Sequence, residues 1–388
     1  MGSTSTSLGG LPRLLLLTPD FPPAPGGIQV VADRLARGLE GFATTVLAPV
    51  TPGAASFDAQ SGVHTLRVPT GGGLRGAGNA LLNAAALTRG LALRPDVVLS
   101  MHIATSPAAA ALRRAAGART VQYFHAEEIG AKPRLAAFAA EHADASIAVS
   151  EYTAGLIAAT GASSRNLHVI GNGTDPPDEQ VPLVRTPDER TPFEQTLLAH
   201  DRSTILTIAR IEERYKGHDT LVRALPLVLA KVPDAQWVVI GDGSLRPGLE
   251  QLAESYGVAH AVSFLGAVSD EQRNDWLRRA SLLAMPSRLP AGGFAGEGYG
   301  IVYLEAGAYG KPVVAGNVGG ALDAVRDGET GLLVDPLDPL AVAEAITRLL
   351  QDRELSARLG EAGRAHALEQ TWPGVVKRVE AVLLAAGR

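Results

Sequence analysis

With 388 residues, 46% of them hydrophobic and 19% charged, the chain carries enough apolar material for two ordinary cores rather than one. A net charge of −5 supplies no electrostatic attraction for nucleic acid. Without a single cysteine it can form no disulfide, no zinc–thiolate site and no thiol nucleophile. Residues 1–11 have neither a charged n-region nor an apolar h-region, so they read as a disordered leader and not as a signal peptide. No apolar run approaches the ~20 residues that span a bilayer, which points to a cytoplasmic protein.

Short apolar runs then alternate with longer, Ala-rich helical patterns. In the first half strands are expected at 13–18, 44–48, 64–68, 97–100, 120–124, 146–149 and 167–170. Helices are expected between them at 29–39, 77–93, 107–115, 133–140 and 151–159. Residues 172–200, rich in Pro, Asp and Glu, break the pattern, and an interdomain linker is expected at 181–200. The alternation restarts with strands at 204–209, 236–240, 261–264, 281–285, 312–315 and 331–334. Helices at 218–231, 245–256, 270–279, 301–309, 339–351 and 352–369 accompany them, and a last one follows at 374–386. Such alternation predicts an α/β chain of two doubly wound, Rossmann-like domains, 12–180 and 201–372, each a parallel sheet covered on both faces. Ligands of these sheets collect at the carboxyl ends of the strands, and with two halves the interdomain cleft is the expected site.

The most informative stretch is 287–320, SRLPAGGFAGEGYGIVYLEAGAYGKPVVAGNVGG. Glu297 and Glu305, with seven residues between them, flank the start of the 301–309 helix. Unpaired N–H groups and the helix dipole favour an anion there. A phosphate site with a carboxylate on each side suits a nucleotide-sugar, which has phosphates in the middle and hydroxyls at both ends. Arg210 and Lys216, on the loop leaving the 204–209 strand, are two cations suited to a diphosphate, whereas Arg214 reads as solvated. Gly26 and Gly27 open a helix after a Pro-rich loop and let backbone approach a phosphate, or simply make a tight turn. Gly241 marks a strand-to-loop turn, and Phe264 and Leu265 end a strand where main-chain atoms can read a base edge. His125, with Glu127 and Glu128 behind it, ends the strand TVQYF and points toward a cleft, although either glutamate reads equally well as a solvated loop charge. Arg288 sits in a Gly-rich loop and is expected to be mobile; Lys311 belongs to a turn. Tyr299 either packs under the loop or faces a sugar.

On these residues the chain resembles a family 4 retaining glycosyltransferase of the GT-B fold, from Leu14 to the final helix. The most specific element is E-G-Y-G-I-V-Y-L-E-A followed by G-K-P-V-V-A, and its wording is similar to the actinobacterial phosphatidylinositol-mannoside type of mannosyltransferase. The resemblance implies that Glu297 holds hydroxyls of the donor sugar while backbone N–H groups of Gly298, Tyr299, Gly300, Ile301 and Val302 meet sugar and phosphate. It implies that Glu305 binds the ribose, that Arg210 and Lys216 clamp the diphosphate with Gly26 and Gly27, and that His125 lies beside the reacting sugar. It implies no metal and no cofactor, and a segment 373–388 that crosses back onto the first domain. The expected reaction moves a hexose from a nucleotide diphosphate sugar, GDP-mannose ahead of a UDP-linked hexose or N-acetylhexosamine, to the hydroxyl of a lipid or small-molecule acceptor. A lipid acceptor would bring peripheral contact with the inner face of a membrane, for which the 77–93 helix with Arg75, Arg89 and Arg94 is the candidate. A sugar-nucleotide epimerase is the remote alternative, disfavoured by the spacing of Glu297 and Glu305. A nicotinamide enzyme is disfavoured by the missing glycine fingerprint after 14–17.

Overall fold

The computed structural model describes residues 10–70, 77–163, 166–177, 203–290 and 296–386. The expected linker at 181–200, Arg75, and all but the end of the 1–11 leader lie outside the described residues. The chain divides into two units, Met1–Ile170 with Pro373–Arg388, and Gly171–Trp372.

The first unit is built on seven strands: β1 Arg13–Leu17, β2 Ala43–Pro49, β3 Thr65–Val68, β4 Val97–Ser100, β5 Arg119–Phe124, β6 Ala145–Ala148 and β7 Leu167–Val169. All pair in parallel, in the order β3-β2-β1-β4-β5-β6-β7. In β1 (RLLLL) every residue after Arg13 is buried, as a strand covered on both faces requires. The helices Ala77–Leu93 and Ser106–Ala116 bring Leu82, Ala86 and Leu112 onto Leu15, Leu17 and Val98, while Phe124 and Ile157 belong to a separate cluster. Strand order reverses between β1 and β4, so the loops leaving β1, β4 and β5 gather at the switch point, where such sheets place ligands. The last helix, Trp372–Ala386, packs on this unit, with Val376 close against Gly38 and Glu380 Oε1 accepting from Gly41 N at 2.8 Å. Two short helices, Ala54–Ser61 and Ala126–Ala131, were not expected from the sequence. Ala54–Ser61 buries only its two end residues, so no apolar stripe betrays it.

The second unit has six strands, β8 Thr204–Ile208, β9 Gln236–Ile240, β10 Val262–Gly266, β11 Leu282–Met285, β12 Val313–Gly316 and β13 Gly331–Val334. These too are parallel, in the order β10-β9-β8-β11-β12-β13, with the reversal between β8 and β11. Trp237 is fully buried, and its indole N–H donates to Thr207 Oγ1 at 2.9 Å, so the large ring leaves no polar group unpaired. Leu221, Leu225 and Val228 of the helix His218–Leu229 share one core with Val342, Ile346 and Leu349 of the helix Pro339–Gln351. The helix Ile301–Ala308 lies against Arg353–Glu369 at a glycine pair: a Cβ on Gly307 would stand 2.8 Å from the Gly363 carbonyl oxygen. Residues 171–177 group with this unit, where Thr174 bridges to Thr371. The α/β class and the two doubly wound sheets expected from the sequence are those of the structure.

Candidate functional site

In the second unit the loop leaving β8 reaches Lys216 and then Gly217, which takes a left-handed conformation (φ 81°) with its α-carbon against the Pro286 carbonyl. A side chain there would meet both backbone strain and backbone atoms. Lys216 Nζ lies 2.6 Å from Glu297 Oε2, and each side chain is only 14% exposed. Burial by itself would lower the lysine pKa, but the Glu297 carboxylate outweighs it and holds the ammonium charged above its ordinary range.

Glu297 is in turn held by its backbone, since its carbonyl accepts from Gly320 N at 2.8 Å. Gly300 (φ 88°) then turns the chain into the helix Ile301–Ala308. Tyr303 anchors that helix to the end of β11: its hydroxyl donates to the Met285 carbonyl at 2.7 Å and lies 3.0 Å from Ser287 Oγ. The outcome is a cation, a carboxylate and a helix N-terminus in one place, at the carboxyl ends of β8 and β11. An anion bearing hydroxyls suits that set.

The other expected residues of this unit have distinct surroundings. Arg210 is half-exposed and pairs with Glu213 at 2.7 Å. Glu305 pairs with Arg273 of the helix Asp270–Arg279, a residue the sequence did not single out because nothing local distinguishes it from its charged neighbours. Gly241 (φ 134°) has its α-carbon against the Ala209 carbonyl and donates from N to the Gly266 carbonyl at 2.9 Å. Phe264 packs edge-on to Trp237 and under the Arg246 guanidinium, and its carbonyl accepts from Arg246 Nη2 at 3.3 Å. One main-chain acceptor expected to read a base is therefore already engaged; Leu265 beside it is half-buried. Tyr299 is buried against Gly171, which decides for packing under the loop. Arg288 corrects the expectation of mobility: its N donates to the Tyr215 carbonyl at 2.7 Å, and its guanidinium reaches Asp219 Oδ1 at 2.9 Å and Thr220 Oγ1 at 3.0 Å. Glycine neighbours suggested freedom, but partners far away in sequence remove it.

In the first unit Gly26 (φ 151°) precedes the helix Gly27–Gly38, and a Cβ on it would run into the Gln29 side chain. His125 follows β5 and is buried, with Nε2 3.1 Å from the Met101 carbonyl oxygen. Glu127 is exposed, whereas Glu128 is buried and is no solvated loop charge. Burial brings the His125 pKa down to about 4, and burial together with Lys216 does the same for His218. Both imidazoles are therefore neutral when folded at pH 7. An unfolded histidine titrates near ~6.5, so the unfolded chain takes up these protons first as pH falls. The stability they support is complete above about pH 6.5 and drains away as pH falls toward about 4. The thermal midpoint should drop steadily across that window, and a midpoint flat from pH 7 to about 4.5 would contradict the neutral assignment.

Among the described residues no group of three His, Asp or Glu side chains is placed to hold a metal ion, and no helix is long and apolar enough to cross a membrane.

The family model described as Glycosyltransferase Family 4 matches residues 25–177, and that described as Glycosyl transferases group 1 matches residues 188–366. The chain is similar to the GDP-mannose-dependent alpha-(1-6)-phosphatidylinositol monomannoside mannosyltransferase of Mycolicibacterium smegmatis, 34% identical over 97% of this chain and 98% of that protein. The protein of the same description from Mycobacterium tuberculosis is 35% identical over 91% of this chain and 92% of its own. Among solved structures, Anabaena HepE in complex with UDP and glucose superposes with a TM-score of 0.79 at 21% identity, over 96% of this chain and 99% of that one. Sucrose-phosphate synthase from Thermosynechococcus elongatus gives the same TM-score and identity over 97% and 100%.

Proposed function

The chain belongs to the family 4 glycosyltransferases, and from that premise we propose that it moves a mannosyl unit from GDP-mannose to a hydroxyl of a glycosylated inositol phospholipid, with retained anomeric configuration and without a metal. The observation that carries this reading is the end-to-end likeness to two mycobacterial enzymes described as GDP-mannose-dependent mannosyltransferases of such a lipid. The paired Lys216 and Glu297 supply the chemistry it needs.

Lys216 and Arg210 take the diphosphate, Glu297 takes hydroxyls of the mannose, and Glu305, beside Arg273, takes the ribose hydroxyls. N–H groups at Gly298, Tyr299, Gly300, Ile301 and Val302 complete the cradle. The acceptor oxygen bonds to the anomeric carbon on the face the diphosphate leaves, as the bond from that carbon to the phosphate oxygen breaks. The proton of the acceptor hydroxyl passes to the departing phosphate oxygen. Negative charge grows on the diphosphate during this step, and a cation kept charged and already oriented stabilises it without reorganisation.

Calorimetric titration with GDP, UDP and ADP, followed by transfer assays with GDP-mannose and a phosphatidylinositol mannoside in the presence of a chelator, tests the proposal. The expected result is binding of GDP and formation of an α-mannoside that the chelator does not affect. Binding of UDP with none of GDP would overturn the donor, and an inverted product would overturn the stereochemistry.

A further inference from the structure

At the carboxyl ends of β4 and β5 a buried carboxylate joins two loops, and the donor chemistry leaves it without a role. The Glu128 side chain is 2% exposed. Its Oε1 accepts from the backbone N–H of His125 at 3.1 Å, and its Oε2 lies 2.9 Å from His102 Nε2. His102 Nδ1 accepts from the backbone N–H of Ala104 at 2.9 Å, so that nitrogen carries a lone pair. The proton must then sit on Nε2, because a bare nitrogen 2.9 Å from a carboxylate oxygen would be repelled. A second link runs the other way, from His125 Nε2 to the carbonyl of Met101, the peptide leading into His102. β4 and β5 are paired in register directly beneath, so the joint extends the sheet beyond its strands. A carboxylate this deeply buried needs partners, and here they come from two different loops: the His125 N–H donates to one oxygen and the His102 imidazole pairs with the other.

Of the three residues only His102 keeps appreciable surface, with 23% of its side chain exposed. Since both nitrogens are turned to protein groups, what it offers a ligand is ring carbon, a flat face. Such a face packs against the C–H side of a sugar or cyclitol ring and discriminates against open-chain alcohols.

We propose that Glu128 is a positioning residue that locks His102 as a stacking platform for the ring of the acceptor; this deepens the mannosyl-transfer reading and rests on it for the identity of that acceptor. Glu128→Gln keeps the size but replaces one acceptor oxygen by an N–H₂ group, which cannot face both the His125 N–H and the His102 Nε2–H. His102→Gln keeps a donor for Glu128 but removes the ring.

Long-range ¹H–¹⁵N spectra of the full chain should show His102 protonated at Nε2 in the wild type and released from that tautomer in E128Q. Both variants should raise the acceptor KM about tenfold while kcat and GDP affinity stay within about twofold, a split that general loss of structure would not produce. A His102 protonated at Nδ1 in the wild type would overturn the joint, and an unchanged acceptor KM in H102Q would overturn the platform. Should E128Q fail to fold, H102Q still decides the platform. Should the wild type transfer no mannose, the functional reading fails, whereas the tautomer and its loss in E128Q still decide whether Glu128 positions His102.

Discussion

Lys216→Ala should lower kcat/KM by about 30- to 1000-fold, equivalent to about 2–4 kcal/mol of transition-state stabilisation. Two effects combine in that loss. The leaving diphosphate loses a fixed cation, and Glu297, only 14% exposed, loses the ammonium 2.6 Å away. A carboxylate left unpaired in such surroundings turns toward water, so the grip on the sugar goes with the grip on the phosphate. The two residues should therefore be strongly non-additive: K216A in a Glu297→Gln background should cost well under its value alone, with a coupling of about 1–3 kcal/mol. Arg214→Ala is the control, because Arg214 is exposed on the same loop and should change turnover by less than about twofold. Lys216 itself should not appear in the pH–rate profile near neutrality. Its pKa is raised, so its contribution is complete below the ordinary lysine value of ~10.4 and is lost only as pH climbs through the higher folded value. Steady-state kinetics on the single and double variants checks all of this; K216A turning over within a few-fold of wild type would remove Lys216 from the site.

Gly320→Ala should reduce donor affinity and kcat/KM about 10- to 100-fold and lower the thermal midpoint, the usual scale of about 1–3 kcal/mol for forcing a group into filled space. Backbone preference alone predicts the opposite. Gly320 has ordinary helical dihedrals (φ −70°, ψ −7°), where alanine is favoured over glycine by up to about 1 kcal/mol. The obstacle is what the new methyl would meet: the carbonyl of Gly298, with Tyr299 N at 2.6 Å. Both are backbone atoms of the segment that carries Glu297, and the Gly320 N–H is what holds the Glu297 carbonyl at 2.8 Å. Relief of the collision must therefore move the carboxylate away from Lys216. Gly248→Ala is the matching control, in a helix with nothing within 4 Å of the new atom. Calorimetry with GDP and thermal melts of the two variants separate the cases. Wild-type GDP affinity in G320A would mean that the segment yields without displacing Glu297.

Several features were legible in the residues themselves. Parallel strands covered on both faces must be apolar throughout, so RLLLL, QWVVI and LLAM announce themselves, and Gly and Pro punctuate the loops between them. Ligand-binding groups of such sheets lie where the strands end, which is why Lys216 and Glu297 could be singled out before any contact was known. Their partners could not. Lys216 and Glu297 are 81 residues apart, and only the crossover that sets β8 beside β11 makes them neighbours. Arg288 looked mobile among glycines because Asp219 and Thr220, which hold it, belong to another helix. Glu127 and Glu128 are chemically identical neighbours; a helix turns about 100° per residue, so one meets solvent and the other the joint between two loops.

Composition, apolar runs and turn residues thus determined the α/β class and the two doubly wound halves, because those follow from periodicity and residue type along the chain. Which charges meet, which glycines tolerate no methyl and which glutamate is buried were decided only by the tertiary structure. Those are matters of distance between segments that the parallel crossovers bring together, and no local pattern encodes them.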